Sequence, residues 1–170
     1  MKFTKYNHSI QEKKIYNFWE KNDLFKPTLK KSKKTFSIVI PPPNITGRLH
    51  MGHALNNSLQ DVLIRYYRMN GFETLWQPGT DHAGIATQAV VEKNLIKKNI
   101  YKNDIGREKF LKKVWEWKTE SGGLILDQLK KLGCSCDWSK SRFTMDDDMS
   151  KAVTKVFVTL FNKKLIYKDK

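Results

Sequence analysis

The chain has 170 residues, of which 32 are lysine or arginine and 17 are aspartate or glutamate, giving a formal net charge of +15 at pH 7. This length corresponds to one domain of ordinary size, and an apolar fraction of 39% is sufficient to build a core. So large a positive charge favours a polyanionic partner, with nucleic acid the leading candidate. The alternative is an excess of lysine spread over many surfaces, which attracts nucleic acid only weakly.

The cysteines and the hydropathy pattern narrow the class of protein further. Cys134 and Cys136 lie two residues apart, and no second pair exists to complete a zinc site, so we expect no metal centre. Without a disulfide framework or a signal peptide, the chain fits an intracellular, reducing location. No stretch approaches the roughly 20 apolar residues of a membrane span, and we therefore expect no membrane partner.

The first 34 residues predict a packing helix followed by a basic linker. A capping box at residues 9–12 opens a helix that ends near Asn22. Ile15, Phe18 and Trp19 recur at helical spacing and indicate its buried face. Residues 26–34 are rich in lysine and lack periodicity, so we place a domain boundary before residue 35.

Residues 35–77 have the pattern of a strand, a helix and a second strand. The apolar, β-branched strand at 35–40 stops at three prolines, because proline lacks the amide that a ladder needs. A helix over residues 50–70 is closed by Gly71. Its expected buried side, with apolar residues at spacings of three and four, consists of Leu55, Leu59, Val62, Leu63, Tyr66 and Met69. A strand at 73–77 completes a parallel βαβ unit, which indicates an α/β fold.

The second half of the chain predicts three more helices. The first covers residues 85–98, after a loop at 78–84. The second covers residues 105–132, with Asp104 as its N-cap and a kink or break at Gly122 and Gly123. Its expected buried side consists of Phe110, Val114, Trp117, Leu124 and Leu129. The third begins after Asp146 and ends near residue 162.

Two histidines at the start of the 50–70 helix are the first candidate functional residues. His50 and His53 are three residues apart, so on the first turn of a helix they face the same way. Together with the free amides of a helix start, two imidazoles form an anion site suited to phosphates. Gly52 permits a flat ligand to approach the backbone, where a Cβ atom would clash. Such a pair also occurs as ordinary surface residues, and its position after a proline-terminated strand is what favours a nucleotide site.

The same segment carries a family resemblance. Residues 40–54 read IPPPNITGRLHMGHA, which resembles the "HIGH" region of class I aminoacyl-tRNA synthetases and is most similar to its valyl-tRNA synthetase form. Residues 74–88 read TLWQPGTDHAGIATQ and agree, and residues 106–118 and 132–139 are also similar. The resemblance implies that residues 35–170 are the first half of a Rossmann-like parallel sheet with flanking helices, incomplete and ending before an inserted editing domain.

The resemblance also implies an activity and a set of site residues. It implies ATP-dependent activation of L-valine and its transfer to tRNA(Val), with Mg²⁺ accompanying ATP, in a cytoplasmic and monomeric ligase. The implied catalytic residues are His50 and His53. The implied ATP-binding residues are Thr46, Gly47, His50, Gly52 and His53. The implied amino-acid-binding residues are Pro41, Pro42, Asn44 and Asp81, with Asp81 paired to the ammonium group.

Several alternatives remain open on the residues alone. Asp81 could simply cap the helix that begins near Gly84, and His82 is expected to be structural. The segments at 139–141 and 148–151 echo the family's second signature, "KMSKS", but we interpret them as turn and helix-start residues. Because that signature is missing, we expect the isolated chain to be inactive. A small nucleotidyltransferase with a related histidine motif and a non-catalytic basic RNA-binding module are the competing functions.

Overall fold

The structure, a computed structural model, describes residues 6–29 and 34–169, so part of the expected linker lies outside the described residues. The elements in chain order are α1 (His8–Lys21), β1 (Thr35–Val39), α2 (Met51–Met69), β2 (Glu73–Gln77), β3 (Gly79–Thr80), α3 (Gly84–Ile96), α4 (Lys102–Lys131), a 3-10 turn (Trp138–Lys140), β4 (Arg142–Phe143) and α5 (Asp147–Asn162). The α/β class predicted from the sequence is confirmed. None of the helices in the described ranges is long and apolar enough to span a membrane.

The described strands form two separate two-stranded parallel sheets. Strand β1 pairs with β2 in parallel, with Phe36 opposite Thr74 and Ile38 opposite Trp76. Strand β3 pairs with β4 in the same sense over two residues each. The proline segment that follows β1 runs beside the segment that follows β3. There Asn44 forms an isolated parallel bridge with Asp81. The carboxyl ends of β1 and β2 therefore bring the proline segment and the loop that follows β2 together.

The main core lies between helix α2, the β1–β2 pair and the second half of helix α4. Trp76 is fully buried, and its indole Nε1 donates a hydrogen bond of 3.0 Å to Oε1 of Gln60. The buried members of this cluster are Ile40, Ile45, Ile64, Trp76, Ile125, Leu129, Cys134, Cys136 and Phe143. Burial raises the pKa of the Cys134 thiol to about 12 and that of Cys136 further, so both remain protonated thiols in this core.

The prediction for the buried side of helix α2 was wrong. All six apolar residues expected to be buried are exposed, from 48% for Leu63 to 82% for Met69. The sheet side instead buries Ile64 and uses polar side chains with fixed partners. Asp61 accepts hydrogen bonds from the backbone and hydroxyl of Ser135, and Arg68 donates to Thr74 and Ser135. Asp61 and Arg68 are partly buried and paired, and this pairing favours the side of α2 that faces the sheet; Oδ1 of the buried Asn57 has no hydrogen-bond partner among the described residues.

Helix α1 has the predicted position but a different cap and a different buried residue. Asn7, rather than the expected box at residues 9–12, is the N-cap, and its side chain accepts from the backbone of Ile10. Tyr16 is buried and donates a hydrogen bond of 2.6 Å to the carbonyl of Cys134. Ile15 and Phe18 are exposed, which contradicts the predicted face.

Helix α4 differs from the prediction in its N-cap and in the position of its kink. Its N-cap is Tyr101 rather than Asp104, and its backbone breaks at Gly106, where φ is 76° and ψ is 168°. The helix continues through residues 122–123, so the kink predicted there is wrong. Gly122 instead faces the core, since a Cβ atom there would lie 3.9 Å from Cγ2 of Ile45. On its expected buried side Phe110 and Leu129 are buried, and Leu124 is 39% exposed.

Candidate active site at the start of helix α2

His50 and His53 together form the N-terminal cap of helix α2. His50 is the N-cap residue, and its Nδ1 accepts a hydrogen bond of 3.1 Å from the backbone N–H of Gly52. Nδ1 of His53 reaches back and accepts from the backbone N–H of His50 at 3.3 Å. The ring centroids are 4.0 Å apart, as the spacing of three predicted. The arrangement is a capping box in which imidazoles take the roles more often filled by serine and glutamate.

This cap assigns the tautomer of each histidine. A neutral imidazole has one donor nitrogen and one acceptor nitrogen. Because Nδ1 accepts in both His50 and His53, the proton of each neutral ring must lie on Nε2. The pair therefore presents two N–H donors beside the helix start, where the backbone dipoles already favour negative charge.

The electrostatic environment reinforces the neutral form of His53. Partial burial lowers the pKa of this imidazole, and the neighbouring His50 lowers it further. A protonated ring carries a hydrogen on Nδ1 and cannot accept the hydrogen bond from the His50 backbone. The geometry and the charge distribution thus favour the same protonation state, one in which Nε2 is a donor and Nδ1 caps the helix.

Gly52 is required by the position of the His50 ring. A Cβ atom at Gly52 would lie 2.9 Å from Cε1 of His50, which is closer than real Cβ atoms approach, and 3.1 Å from its Nδ1, so the ring would have to shift. The imidazole thus occupies the space that a side chain at residue 52 would need. The sequence suggested that this glycine makes room for a ligand, and the structure adds an intramolecular reason for it.

Helix α4 supports the turn that leads into the histidines, which the sequence analysis did not predict. The indole of Trp117 donates a hydrogen bond of 2.7 Å to the carbonyl of Ile45. The side-chain oxygen of Gln128 accepts from the backbone N–H of Leu49 at 3.0 Å. Thr46 and Gly47, the expected nucleotide-binding turn residues, lie between these two anchors and are partly exposed. A polar Gln128 beside the buried Leu129 was the available signal for this contact.

The residues expected to bind the amino acid lie beside the segment that leads to the histidines. Asn44 and Asp81 are bridge partners, because the backbone N–H of Asp81 donates to the carbonyl of Pro43 and that of Ile45 donates to the carbonyl of Asp81. Pro41, Pro42 and Asn44 are exposed, whereas Pro43, which was not among the expected pocket residues, is buried. The structure therefore places the amino-acid candidates Asn44 and Asp81 side by side.

The Asp81 carboxylate is fixed through one of its two oxygens. Oδ1 accepts from the backbone N–H of Ala83 at 3.0 Å and from the hydroxyl of Thr144 at 3.1 Å, and it lies 3.2 Å from Nδ1 of His82. Ala83 is the N-cap residue of α3 and has no side-chain cap. Asp81 therefore does not cap α3, and the alternative that it is simply the helix cap is wrong; it fixes the turn before the helix through Ala83. Its Oδ2 has no hydrogen-bond partner among the described residues.

The remaining candidate segments have the structural roles expected of them. Residues 139–141 belong to the 3-10 turn and its end, and residues 148–151 lie in the first turns of α5, whose N-cap is Asp146 as predicted. Within the described part of the chain, no group of three or more histidine, cysteine or acidic side chains could hold a metal ion.

Comparison with known proteins supports the family resemblance seen in the sequence. The family model described as "tRNA synthetases class I (I, L, M and V)" matches residues 14–170. A valine–tRNA ligase of Pelagibacter ubique is 71% identical over 166 residues, covering 98% of this chain and 19% of that protein. The valine–tRNA ligase of Syntrophotalea carbinolica is 61% identical over 158 residues, covering 93% of this chain and 18% of that protein. The chain thus spans about a fifth of the length of these curated relatives.

A solved structure shares the fold at low sequence identity. It is the agnB2 LeuRS of Agrobacterium radiobacter K84, in a ternary complex with tRNA and LeuAMS. The similarity has a TM-score of 0.77 at 22% identity and covers 97% of this chain and 19% of that chain. The expected first portion of a class I synthetase fold is therefore confirmed as the architecture of this chain.

Proposed function

The chain belongs to the class I tRNA synthetases, and on that premise we propose that it forms the N-terminal part of a valine–tRNA ligase. The proposed activity is ATP-dependent formation of valyl-adenylate from L-valine, followed by transfer of the valyl group to tRNA(Val). The relatives with that name, at 61% and 71% identity over almost the whole chain, support the choice of valine. The match of the class I tRNA synthetase family model to residues 14–170 favours this function over that of a small nucleotidyltransferase.

The reciprocal cap of His50 and His53 is the observation that carries the proposal. In the proposed reaction, a carboxylate oxygen of valine attacks the α-phosphorus of ATP, a carboxyl–phosphate bond forms, and the bond to the β-phosphate breaks to release pyrophosphate. The two Nε2–H donors assigned by the cap suit the phosphate oxygens, which gain charge during this step. Thr46, Gly47 and Gly52 complete the proposed ATP site, with Gly52 under the adenine and Mg²⁺ accompanying the phosphates.

Asp81 and the proline segment form the proposed amino-acid site. The Oδ2 atom of Asp81 is available to pair with the ammonium group of valine, and Asn44 lies beside it. Pro41 and Pro42 provide a rigid wall that does not expand for a larger side chain. A wall of this kind discriminates against one additional methylene by only about 1–3 kcal/mol and excludes an isostere such as threonine poorly.

A chimera tests the proposal with this exact sequence. Residues 1–170 replace the corresponding 166-residue segment of the Pelagibacter ligase, and ATP–pyrophosphate exchange is measured with valine, isoleucine and leucine. We expect exchange that depends on valine and is much weaker with the other two. A folded chimera without valine-dependent exchange, beside an active parent enzyme, contradicts the proposal. The isolated 170-residue chain should show no exchange.

The charge of +15 favours a second candidate function, which is that of a basic RNA-binding module without catalysis. The His50→Ala and His53→Ala chimeras separate the two functions. A ligase loses exchange and retains tRNA binding, whereas an RNA module has no exchange to lose and binds tRNA with the same steep salt dependence in every variant. We also propose that the whole ligase is cytoplasmic, because tRNA is charged there. We propose separately that it is a monomer.

A further inference from the structure

Thr144 makes an unusual set of contacts at the proposed amino-acid site. Its hydroxyl oxygen accepts from the backbone N–H of His82 at 2.9 Å, contacts Nδ1 of the same histidine at 2.5 Å, and lies 3.1 Å from Oδ1 of Asp81. Three polar groups of the loop that follows β3 thus converge on one hydroxyl. Thr144 belongs to none of the motifs that carried the family resemblance.

The number of available protons determines how these groups are bonded. A hydroxyl has one proton to donate and two lone pairs that accept. The Asp81 carboxylate can only accept, so the hydroxyl proton of Thr144 is directed to Oδ1 of Asp81. Nδ1 of His82 must then carry a proton, because otherwise its lone pair would face lone pairs of both Thr144 and Asp81. The triangle is satisfied in one arrangement, with Nδ1–H on His82.

The loop held by this triangle is strained, which is why it needs an anchor. Ala83 has φ of 49° and Gly84 has φ of 40°, so two consecutive residues lie in the left-handed region. A residue other than glycine in that region is costly and persists where the surroundings fix it. Thr144 itself is fixed, because its backbone N–H donates to the carbonyl of Thr80 at the end of the β3–β4 pair.

We propose that Thr144 is a positioning residue of the amino-acid site, acting through Asp81 and His82. Its hydroxyl holds Oδ1 of Asp81, so that Oδ2 stays directed away from the protein partners and available to the ammonium group of the substrate. It also holds a proton on Nδ1 of His82, and in the neutral ring this leaves Nε2 of that half-exposed side chain as a hydrogen-bond acceptor. This inference rests on the proposed valine activation and adds the residue that orients its carboxylate.

Kinetics of two matched variants test the role of the hydroxyl. In the chimera, Thr144→Val removes the hydroxyl and retains the shape, whereas Thr144→Ser retains the hydroxyl. Loss of a hydrogen bond to a charged group should raise KM for valine by about 10-fold or more in Thr144→Val. KM for ATP should change by less than about twofold, which a general structural defect would not achieve. Thr144→Ser should restore KM for valine.

The tautomer provides a readout that needs no variant at Thr144. The 170-residue chain is labelled with ¹⁵N at its histidines, and the His82 resonances are assigned by comparison with His82→Gln. In the neutral ring they should show a protonated Nδ1 and an unprotonated Nε2. The opposite tautomer overturns the inference, as does an unchanged KM for valine in an active Thr144→Val chimera. An unmodified chimera without valine-dependent exchange overturns the proposed function and this inference together.

Discussion

Nδ1 of His53 accepts the backbone N–H of His50 at 3.3 Å, while Nδ1 of His50 accepts the backbone N–H of Gly52 at 3.1 Å. The two imidazoles therefore stabilise the start of helix α2 with the same atoms that set their tautomers. This arrangement links the stability of the helix to the protonation state that the proposed ATP site requires. The consequences can be tested separately on stability and on activity.

The first prediction concerns pH. The pKa of His53 is lowered in the folded chain, so the unfolded chain binds more protons as pH falls through this range. The stabilising contribution of the neutral ring is complete above its ordinary pKa of about 6.5 and is lost as pH falls through the lowered value. We expect the free energy of unfolding, measured with urea, to decrease on acidification between about pH 8 and pH 5.

Two variants at the same position provide the control for this pH dependence. Glutamine at the third helical position can make the same reach-back contact without titrating, so His53→Gln should keep the stability and flatten the pH dependence. His53→Ala should lose about 1 kcal/mol near neutral pH. An equally steep pH dependence in His53→Gln and the unmodified chain would contradict the account.

A second prediction concerns Gly52. Gly52→Ala places a methyl group 2.9 Å from Cε1 of His50 and should displace that ring from its capping position. We expect the chimera to lose about 100-fold or more in the rate of exchange, comparable to the loss of one donor to a developing charge. Gly123→Ala is the matched control, because nothing lies within 4 Å of its Cβ position in helix α4. It should leave exchange unchanged, and equal losses in both variants would refute the explanation.

A third prediction concerns the close approach of strands β3 and β4. A Cβ atom at Gly79 would lie 2.8 Å from the backbone oxygen of Arg142, and backbone cannot move aside as a flexible side chain can. We expect Gly79→Ala to reduce the free energy of unfolding by about 1–3 kcal/mol. It should also disturb the amide resonance of His82, which depends on Thr144 just after β4. Retention of both the stability and that resonance would show that the pairing is unimportant.

A fourth prediction follows from the exposed outer face of helix α2. Leu59 and Val62 are 60% and 65% exposed, and α5 adds Phe157 and Phe161 at 62% and 61%. Apolar surface of this extent favours association, so the isolated 170-residue chain should self-associate as its concentration rises. Sedimentation of the chain should show this, and Leu59→Gln with Val62→Gln should reduce it. A monomer at every concentration would contradict the prediction.

The local structure of the candidate site could be predicted because it depends on local sequence. A strand, a proline run and a helix start define where the chain turns, and the spacing of His50 and His53 brings their rings together. The parallel arrangement of β1 and β2 followed from the short strand–helix–strand pattern, whereas the bridge between Asn44 and Asp81 was not predicted from the sequence. The turn and the histidine pair need no knowledge of distant contacts.

The orientation of helix α2 could not be predicted, because its apolar periodicity marks the side that the structure leaves exposed. The side that faces the sheet was decided by Asp61 and Arg68, whose partner Ser135 is about 70 residues away in the sequence. The anchors Trp117, Gln128 and Thr144 were missed for the same reason. Each is separated from its partner at the site by more than 60 residues, and no periodicity records such a contact.

In the proposed site two neighbouring segments divide the substrates: His50 and His53 bind ATP, and Asp81 binds the amino acid. The most direct measurement is valine-dependent ATP–pyrophosphate exchange by the Asp81→Asn and His53→Gln chimeras, with KM determined for both substrates. We expect a raised KM for valine in Asp81→Asn with KM for ATP unchanged, and a lowered exchange rate in His53→Gln with KM for valine unchanged. Equal effects of both variants on both substrates would contradict this expectation.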